Sequence, residues 1–182
     1  MESIHQLFLE RHSIRRYTDR ELAPEDVRTI LEAGLLAPSS KSARSWQFVV
    51  VEDREMMRKL SKCKPQYAAS LGGAPLAVVV CSSPERSEAY IEDASVAAMM
   101  MQLQAADLGI GSCWVQVRGR YAEGDLTSSD YVQNLLGIPN DMPVECIITF
   151  GYSAETRKPV DLSKLLWEKV HLGTWNEAQG AE

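Results

Sequence analysis

Apolar residues follow two different spacings along the chain, which predict helices and strands in turn. Between Val27 and Leu35 they recur every three or four residues, the spacing of one face of a helix. Pro24, just before this stripe, is typical of a first helical position, and Pro38 marks where the helix should stop. Further helices are predicted at Ile4–Glu10, Arg54–Leu60, Tyr90–Asp107 and Tyr131–Leu136.

Four short apolar runs predict strands. The run Leu76–Cys81 has no polar alternation, so this strand should be covered on both faces. The other three runs are Trp46–Val51, Ser112–Val117 and Val144–Phe150. Because helices alternate with these strands, we expect one α+β domain over residues 1–182, with a mixed or mostly parallel central sheet sandwiched by helices.

Features near the two ends of the chain add to this picture. Ser3 is the expected N-cap of the first helix, and Gln6 would complete a capping box. Near the other end, Leu165–Trp175 carries apolar residues but has no neighbouring element that would cover them. We therefore expect this tail to dock on a second subunit.

Composition and charge narrow the class of protein. The 182 residues are 45% hydrophobic and 24% charged, which suits one globular domain. A net charge of -6 argues against nucleic acid as a partner, since phosphate binding needs a basic face. No apolar run approaches the roughly 20 residues that span a bilayer, and the N-terminus lacks the pattern of a secretion signal. The sequence thus predicts a cytoplasmic protein.

The cysteines are scattered along the chain. Cys63, Cys81, Cys113 and Cys146 form no C-x-x-C pair, and no histidine lies at ligand spacing from them. We therefore expect neither a metal or iron–sulfur site nor a redox-active dithiol.

Three polar clusters carry candidate chemistry. The first, Arg11–Tyr17, places three arginines beside a serine hydroxyl, and guanidinium groups bind phosphate bidentately. Taken alone, it also fits a solvated basic turn. The second, Ala37–Trp46, holds four serines and two cations on a loop that contains a proline and leads into a strand. Taken alone, it also fits an ordinary polar connection.

The third cluster, Gly109–Gln116, begins with G-x-G. The third glycine of a dinucleotide fingerprint is missing. The glycines also follow a helix and enter a strand, the reverse of the order that such a fingerprint needs. A Rossmann-type site is therefore excluded.

In chain order these clusters resemble the motifs of the nitroreductase family of FMN-dependent NAD(P)H oxidoreductases. The family patterns are R-[RH]-S-x-R-x-[FY] near the N-terminus, A-P-S-x-x-N-x-Q-P-W leading into a strand, and G-[LI]-G-x-x-W after a long helix. L-G-[IL]-P follows here at Leu136–Pro139, and a strand ends in a G-Y-P-like element at Gly151–Pro159. Each motif is weak singly, but five in the right order along nearly the whole chain indicate the family.

The resemblance implies an FMN site in an intertwined homodimer that exchanges C-terminal arms. Arg11 would bind the phosphate, and Ser13 would bind the phosphate or the ribityl chain. Arg15 matches a basic position at N1 and O2 of the flavin, where a cation stabilises the reduced ring. Arg157 and Lys158 would complete the phosphate site.

The same resemblance supplies the remaining contacts. His12 lies at a position that is often basic in the family, although packing against the turn is an equal alternative. Trp114, Val115 and Gln116 would lie beside the ring, with a main-chain N–H near N5. The A-P-S loop would approach from the other subunit and contribute Pro38, Ser39, Ser40 and Ser42.

The sequence departs from the family pattern at several positions. Ser42 and Arg44 stand where the A-P-S loop usually has Asn and Gln, and Ser45 replaces the Pro before the tryptophan. Arg44 would add positive charge near the flavin or the phosphate of a nicotinamide, so the choice between NADH and NADPH stays open. Ser153 replaces the Pro of G-Y-P, and Val160 stands where an arginine is common.

The implied reaction is a ping-pong transfer in which NADH or NADPH delivers a hydride to flavin N5. A nitroaromatic, quinone or enone acceptor then takes its place, and no side-chain acid, base or nucleophile is needed. The short Arg118–Ser129 segment indicates little lid over the site. Two alternatives stay open: a specialised enzyme of the same fold, such as a reductive dehalogenase or a flavin-fragmenting enzyme, and a non-catalytic flavin-binding module.

Overall fold

The computed structural model describes residues 4–66 and 68–175. The helices and strands expected from the sequence are confirmed, with small shifts at their ends, and the expected N-cap Ser3 lies outside the described residues. The helices are α1 (Ile4–Glu10), α2 (Pro24–Leu35), α3 (Arg54–Leu60), α4 (Ala69–Gly73), α5 (Tyr90–Asp107) and α6 (Ser128–Leu136). The strands are β1 (Trp46–Val51), β2 (Leu76–Ser82), β3 (Gly111–Gln116) and β4 (Val144–Gly151).

Side-chain caps fix the starts of two of the shorter helices. The Asp53 carboxylate accepts the amide of Met56 at 2.7 Å and so begins α3. The Thr127 hydroxyl accepts the amide of Asp130 at 3.0 Å and begins α6. Gly137, with φ of 68°, ends α6 in the left-handed region that favours glycine.

The four strands form one sheet in the order β1-β2-β4-β3, and all three strand pairs are antiparallel. The expectation of a mixed or mostly parallel sheet was therefore wrong for the strand directions. Strands β2 and β3 do point the same way and are joined by α5, but β4 lies between them and pairs with both. The apolar runs correctly indicated that helices cover both faces of the strands. Such coverage occurs in parallel and antiparallel sheets alike, so it does not determine strand direction.

Helices cover both faces of the sheet, as expected. On one face Val78 and Val80 pack with Ile30 of α2 and Met101 of α5. On the other face Val79 packs with residues of α3, α4 and α6. Successive β2 residues therefore enter opposite cores, which explains why this strand shows no polar position.

The tail after β4 remains exposed. Leu166, Trp167, Leu172 and Trp175 are 57%, 69%, 86% and 77% exposed. No element among the described residues covers these side chains, so they are free to dock on a second subunit as the sequence predicts. Within the same residues, no helix has the length and hydropathy to cross a membrane.

Candidate functional site

The start of β3 holds the N-terminal basic segment in place. The amide of Ile14 donates to the carbonyl of Ser112 at 2.9 Å, and Ser13 forms a parallel bridge with Ser112. Gly111 permits this approach, because a Cβ at that position would lie 2.9 Å from the Cβ of Ile14. The glycine of the G-x-G motif thus brings the arginine-rich segment against the sheet.

The segment after β4 packs against the same basic segment. The amide of Thr18 donates to the carbonyl of Tyr152, and the amide of Ala154 donates to the carbonyl of Arg16, each at 2.9 Å. The Tyr17 hydroxyl donates to the carbonyl of Ile14 at 2.6 Å. Burial raises the pKa of Tyr17, so the phenol stays neutral and able to donate.

A pocket of about 440 Å³ lies where these two segments meet the end of α5. Arg11, His12 and Arg157 line it, together with Gly111 and Ser112. The structure therefore gathers three predicted cofactor-binding residues, two of them predicted phosphate ligands, from opposite ends of the chain into one pocket.

Two basic residues of this pocket have groups that could bind an anion. In the described part of the chain, the Arg11 side chain has no ion pair. His12 Nε2 is buried and has no hydrogen-bond partner within the same residues. A buried polar atom without a partner is costly, so a ligand oxygen at this point would satisfy it. The donor set fits a phosphate group.

Arg157 has one carboxylate partner in the pocket. Its Nη2 lies 3.2 Å from Glu155 Oε2, and the guanidinium keeps further donors. Glu155 also accepts the amide of Arg15 at 2.8 Å and pairs with Arg16 at 3.6 Å. The Arg15 amide, followed by the two guanidinium groups, lowers the pKa of Glu155. Sequence reasoning missed Glu155, because a lone Glu in a polar turn carries no motif.

Three other predicted ligands lie outside the pocket lining. The Arg15 side chain is exposed, and its Nη1 lies 3.5 Å from the carbonyl of Ser13. Lys158 is also exposed, and Ser13 is half-buried. In the chain, Ser13 and Arg15 flank Ile14, and Lys158 follows Arg157; Ile14 and Arg157 line the pocket.

The β3 residues predicted to lie beside the flavin ring differ in the burial and hydrogen bonding of their side chains. The Val115 side chain is buried in the core, so a contact from this residue would come from its main chain. Trp114 Nε1 donates to Gln116 Oε1 at 2.8 Å. The Gln116 amide in turn donates to the carbonyl of Arg118 at 3.0 Å, and Arg118 pairs with the buried Glu145 at 2.6 Å. This chain of contacts fixes the Gln116 side chain at the end of β3.

The A-P-S loop has an unusual backbone. Lys41, Ser42 and Arg44 have φ values of 51°, 56° and 45°, in the left-handed region that costs roughly 1–2 kcal/mol for each non-glycine residue. Ser39 stabilises the turn, because its Oγ accepts the amide of Arg44 at 2.9 Å. Such strain persists only where the surrounding structure holds it, and it is found most often at functional sites.

A buried carboxylate holds the loop from below. Asp93, in the first turn of α5, is 5% exposed and accepts the amide of Ser40 at 2.7 Å. It also accepts the hydroxyl of Ser87 at 2.8 Å and lies 3.4 Å from the hydroxyl of Ser45. Ser82 donates to Ser45 at 2.8 Å, so the serine that replaces the family's proline joins a buried network. Sequence reasoning missed Asp93, although a carboxylate in the first turn of an apolar helix was a usable signal.

The loop and the pocket lie at opposite ends of α5. Asp93 supports the loop at the start of this helix, and Asp107 lines the pocket at its end. At about 1.5 Å per residue, the 14-residue separation between Asp93 and Asp107 in α5 corresponds to about 21 Å. The part of the loop that Asp93 binds therefore lies at the other end of α5 from the pocket of the same chain.

Known proteins resemble this chain in sequence and in fold. A model described as the nitroreductase family matches residues 9–64 and 62–152. The chain is 35% identical over 161 residues to a protein of Archaeoglobus fulgidus that bears the provisional name NADH dehydrogenase/NAD(P)H nitroreductase, covering 86% of this chain and 89% of that one.

Two solved structures have the same fold. The first is an FMN-dependent nitroreductase from Clostridium difficile R20291, with a TM-score of 0.92, 43% identity, and coverage of 94% of this chain and 99% of that one. The second, from Desulfovibrio desulfuricans, is provisionally described as a nitroreductase and was solved in complex with FMN. It has a TM-score of 0.72, 28% identity, and coverage of 94% of this chain and 99% of that one.

Proposed function

Because this chain belongs to the nitroreductase family, we propose that it is an FMN-dependent oxidoreductase that uses NADH or NADPH. Its acceptors are nitroaromatics, quinones or related compounds. The observation that carries the proposal is the pocket in which Arg11, His12 and Arg157 converge with unused donors. When bound, FMN supplies the redox chemistry, taking a hydride at N5 and passing it on in a ping-pong cycle.

The phosphate end of the cofactor is held by the pocket. Arg11 and Arg157 bind the phosphate oxygens through charge-assisted hydrogen bonds, which are stronger than neutral ones. His12 donates from Nε2, the buried atom that has no other partner within the described residues. Ser13 and Lys158 extend this set along the two chain segments that border the pocket.

The exposed Arg15 guanidinium binds the pyrimidine edge of the flavin in this proposal. A cation at N1 and O2 favours the negative charge that a reduced flavin carries there, and so raises its potential. In the structure, the Arg15 side chain makes one long hydrogen bond, from Nη1 to the carbonyl of Ser13 at 3.5 Å. At the end of β3, Trp114 and Gln116 lie beside the ring, and the main chain of Val115 and its neighbours orients N5.

The site is completed by a second copy of the chain. The strained A-P-S loop is distant from the pocket of its own chain, so Pro38, Ser39, Ser40 and Ser42 contact the cofactor of the partner. The apolar tail supports the same assembly, since Leu166, Trp167 and Leu172 need a surface to cover them. An apolar groove along α2 and the edge strand β1, lined by Leu31, Leu35 and Phe48, is open to receive such an arm.

Flavin identity and turnover test the proposal together. The purified protein should be yellow, and acid release should yield FMN. Anaerobic assays should then show NAD(P)H oxidation that depends on a quinone or nitroaromatic acceptor. Stoichiometric FAD, or a colourless protein that does not bind added FMN, would contradict the cofactor assignment. Bound FMN without any acceptor-dependent turnover would instead identify a flavin-binding module.

A further inference from the structure

Glu155 is a carboxylate in a pocket that otherwise suits an anion. Its side chain is only 8% exposed, and it lines the pocket beside Arg157. Two other acidic residues, Glu10 and Asp107, share that lining. Among these three, Glu155 alone forms an ion pair with an arginine in the described part of the chain.

We propose that Glu155 is a positioning residue that orients the Arg157 guanidinium toward the flavin phosphate. This inference rests on the proposed function, because it takes the pocket to be the phosphate site. Glu155 itself need not touch the cofactor, since its effect passes through Arg157.

The geometry explains how Glu155 is held. Its Oε1 accepts the main-chain amide of Arg15 at 2.8 Å, a donor that cannot rotate away. The other oxygen, Oε2, lies 3.2 Å from Arg157 Nη2 and 3.6 Å from Arg16 Nε. The carboxylate therefore links the N-terminal basic segment, residues 11–17, to the segment that follows β4.

The link matters because an arginine side chain is flexible. The Arg157 side chain is 47% exposed, so without a partner it would sample many rotamers. A guanidinium has five donors in a fixed plane, and one bond to Glu155 leaves the others for phosphate oxygens. Orienting the guanidinium beforehand reduces the entropy lost when the phosphate binds.

The sign of the effect distinguishes positioning from simple electrostatics. A carboxylate near a phosphate repels it, so neutralising a carboxylate without a positioning role should tighten FMN binding or leave it unchanged. Neutralising a carboxylate that orients a phosphate ligand should weaken FMN binding. Glu10→Gln is the matched control, since Glu10 lines the same pocket and its partner is the neutral amide of Gln6.

Glu155→Gln is the sharpest variant. Its amide oxygen can still accept from Arg15, whereas its NH₂ group would face Arg157 and the ion pair would be lost. We expect the Kd of the apoprotein for FMN to rise about tenfold or more, the scale of a hydrogen bond between charged groups. Glu10→Gln should leave that Kd unchanged or lower it.

Riboflavin separates this role from a general loss of structure. It lacks the phosphate, so Glu155→Gln should leave its Kd within about twofold of wild type, and the preference for FMN over riboflavin should fall. In an Arg157→Ala background, Glu155→Gln should no longer weaken FMN binding, because the residue that it orients is gone.

Each outcome of the titrations decides a separate point. The positioning role is overturned if Glu155→Gln binds FMN as tightly as wild type or more tightly. It is also overturned if the substitution weakens riboflavin binding as much as FMN binding. If wild-type protein shows no preference for FMN over riboflavin, the phosphate pocket of the proposed function fails instead. Circular dichroism of each variant identifies any that has not folded, and Glu155→Ala then serves as the second variant for the same comparison.

Discussion

Gly111 and Ile14 approach each other so closely that no side chain fits between them. A Cβ on Gly111 would lie 2.9 Å from both Cβ and Cγ1 of Ile14. Ile14 is itself buried and bonded through its amide to Ser112. The position of the arginine-rich segment on the sheet therefore depends on one missing methyl group.

Replacing that glycine should displace the segment. Gly111→Ala should lower the free energy of unfolding by about 1–3 kcal/mol, the usual cost of overpacking, and should also weaken FMN binding. Chemical denaturation and a flavin titration measure the two effects. Gly72→Ala is the control, because nothing lies within 4 Å of a Cβ there, and its stability should stay the same or rise. Equal behaviour of the two variants would show that the Ile14 contact is not limiting.

Arg15 should set the flavin potential more than it sets affinity. Loss of a charge-assisted hydrogen bond to the reduced ring costs about 1.5–3 kcal/mol, so Arg15→Ala should lower the two-electron potential by about 30–60 mV. Arg11→Ala should weaken FMN binding more, because the phosphate has the same charge in both redox states. A redox titration with equilibrating dyes measures the potential.

Two further variants sharpen the Arg15 experiment. Arg15→Lys should recover part of the potential, since the charge stays but the planar fork is lost. Arg28→Ala removes one cation from the surface of α2, where Arg28 pairs with Glu32, and should leave the potential unchanged. An unaltered potential in Arg15→Ala with flavin still bound would mean that Arg15 is not at the pyrimidine edge.

Asp93 should determine whether the A-P-S loop is formed. Asp93→Asn loses the charge that binds Ser40 and Ser87, so the free energy of unfolding should fall by about 1.5–3 kcal/mol. NAD(P)H oxidation should fall on the order of tenfold or more, because a small displacement of a loop at a reacting site is costly. The exposed Asp125→Asn is the control for loss of a carboxylate. Full activity in Asp93→Asn would separate the loop from the site.

The tail should be needed for both assembly and cofactor. Obligate interfaces commonly bury more than roughly 2,000 Å², and exposed apolar side chains of the tail are candidates to supply much of that area. Deleting residues 165–182 should therefore shift the protein from dimer to monomer and release FMN. Light scattering after size exclusion and the flavin absorbance measure the two results. A truncated protein that stays a flavin-loaded dimer would contradict the assignment of the tail.

The sequence by itself determined most of the elements of this protein, although the short helix Ala69–Gly73 was not predicted. Strand Trp46–Val51 and helices Ile4–Glu10, Arg54–Leu60 and Tyr90–Asp107 have the bounds that their patterns predicted. These patterns are local, since helix and strand periodicities depend on neighbours within a few positions. The five ordered motifs likewise indicated the family, which the comparisons confirm.

Only the tertiary structure decided how these elements meet. The antiparallel insertion of β4 between β2 and β3 depends on pairs such as Val79 with Ile147, which lie far apart in the chain. Local spacing carries no record of such partners, so strand direction could not be predicted. For the same reason, the bond from the Arg15 amide to Glu155 and the support of the loop by Asp93 are known only from the fold. A charged side chain gains its role from the groups that surround it in space, and folding alone brings those groups together.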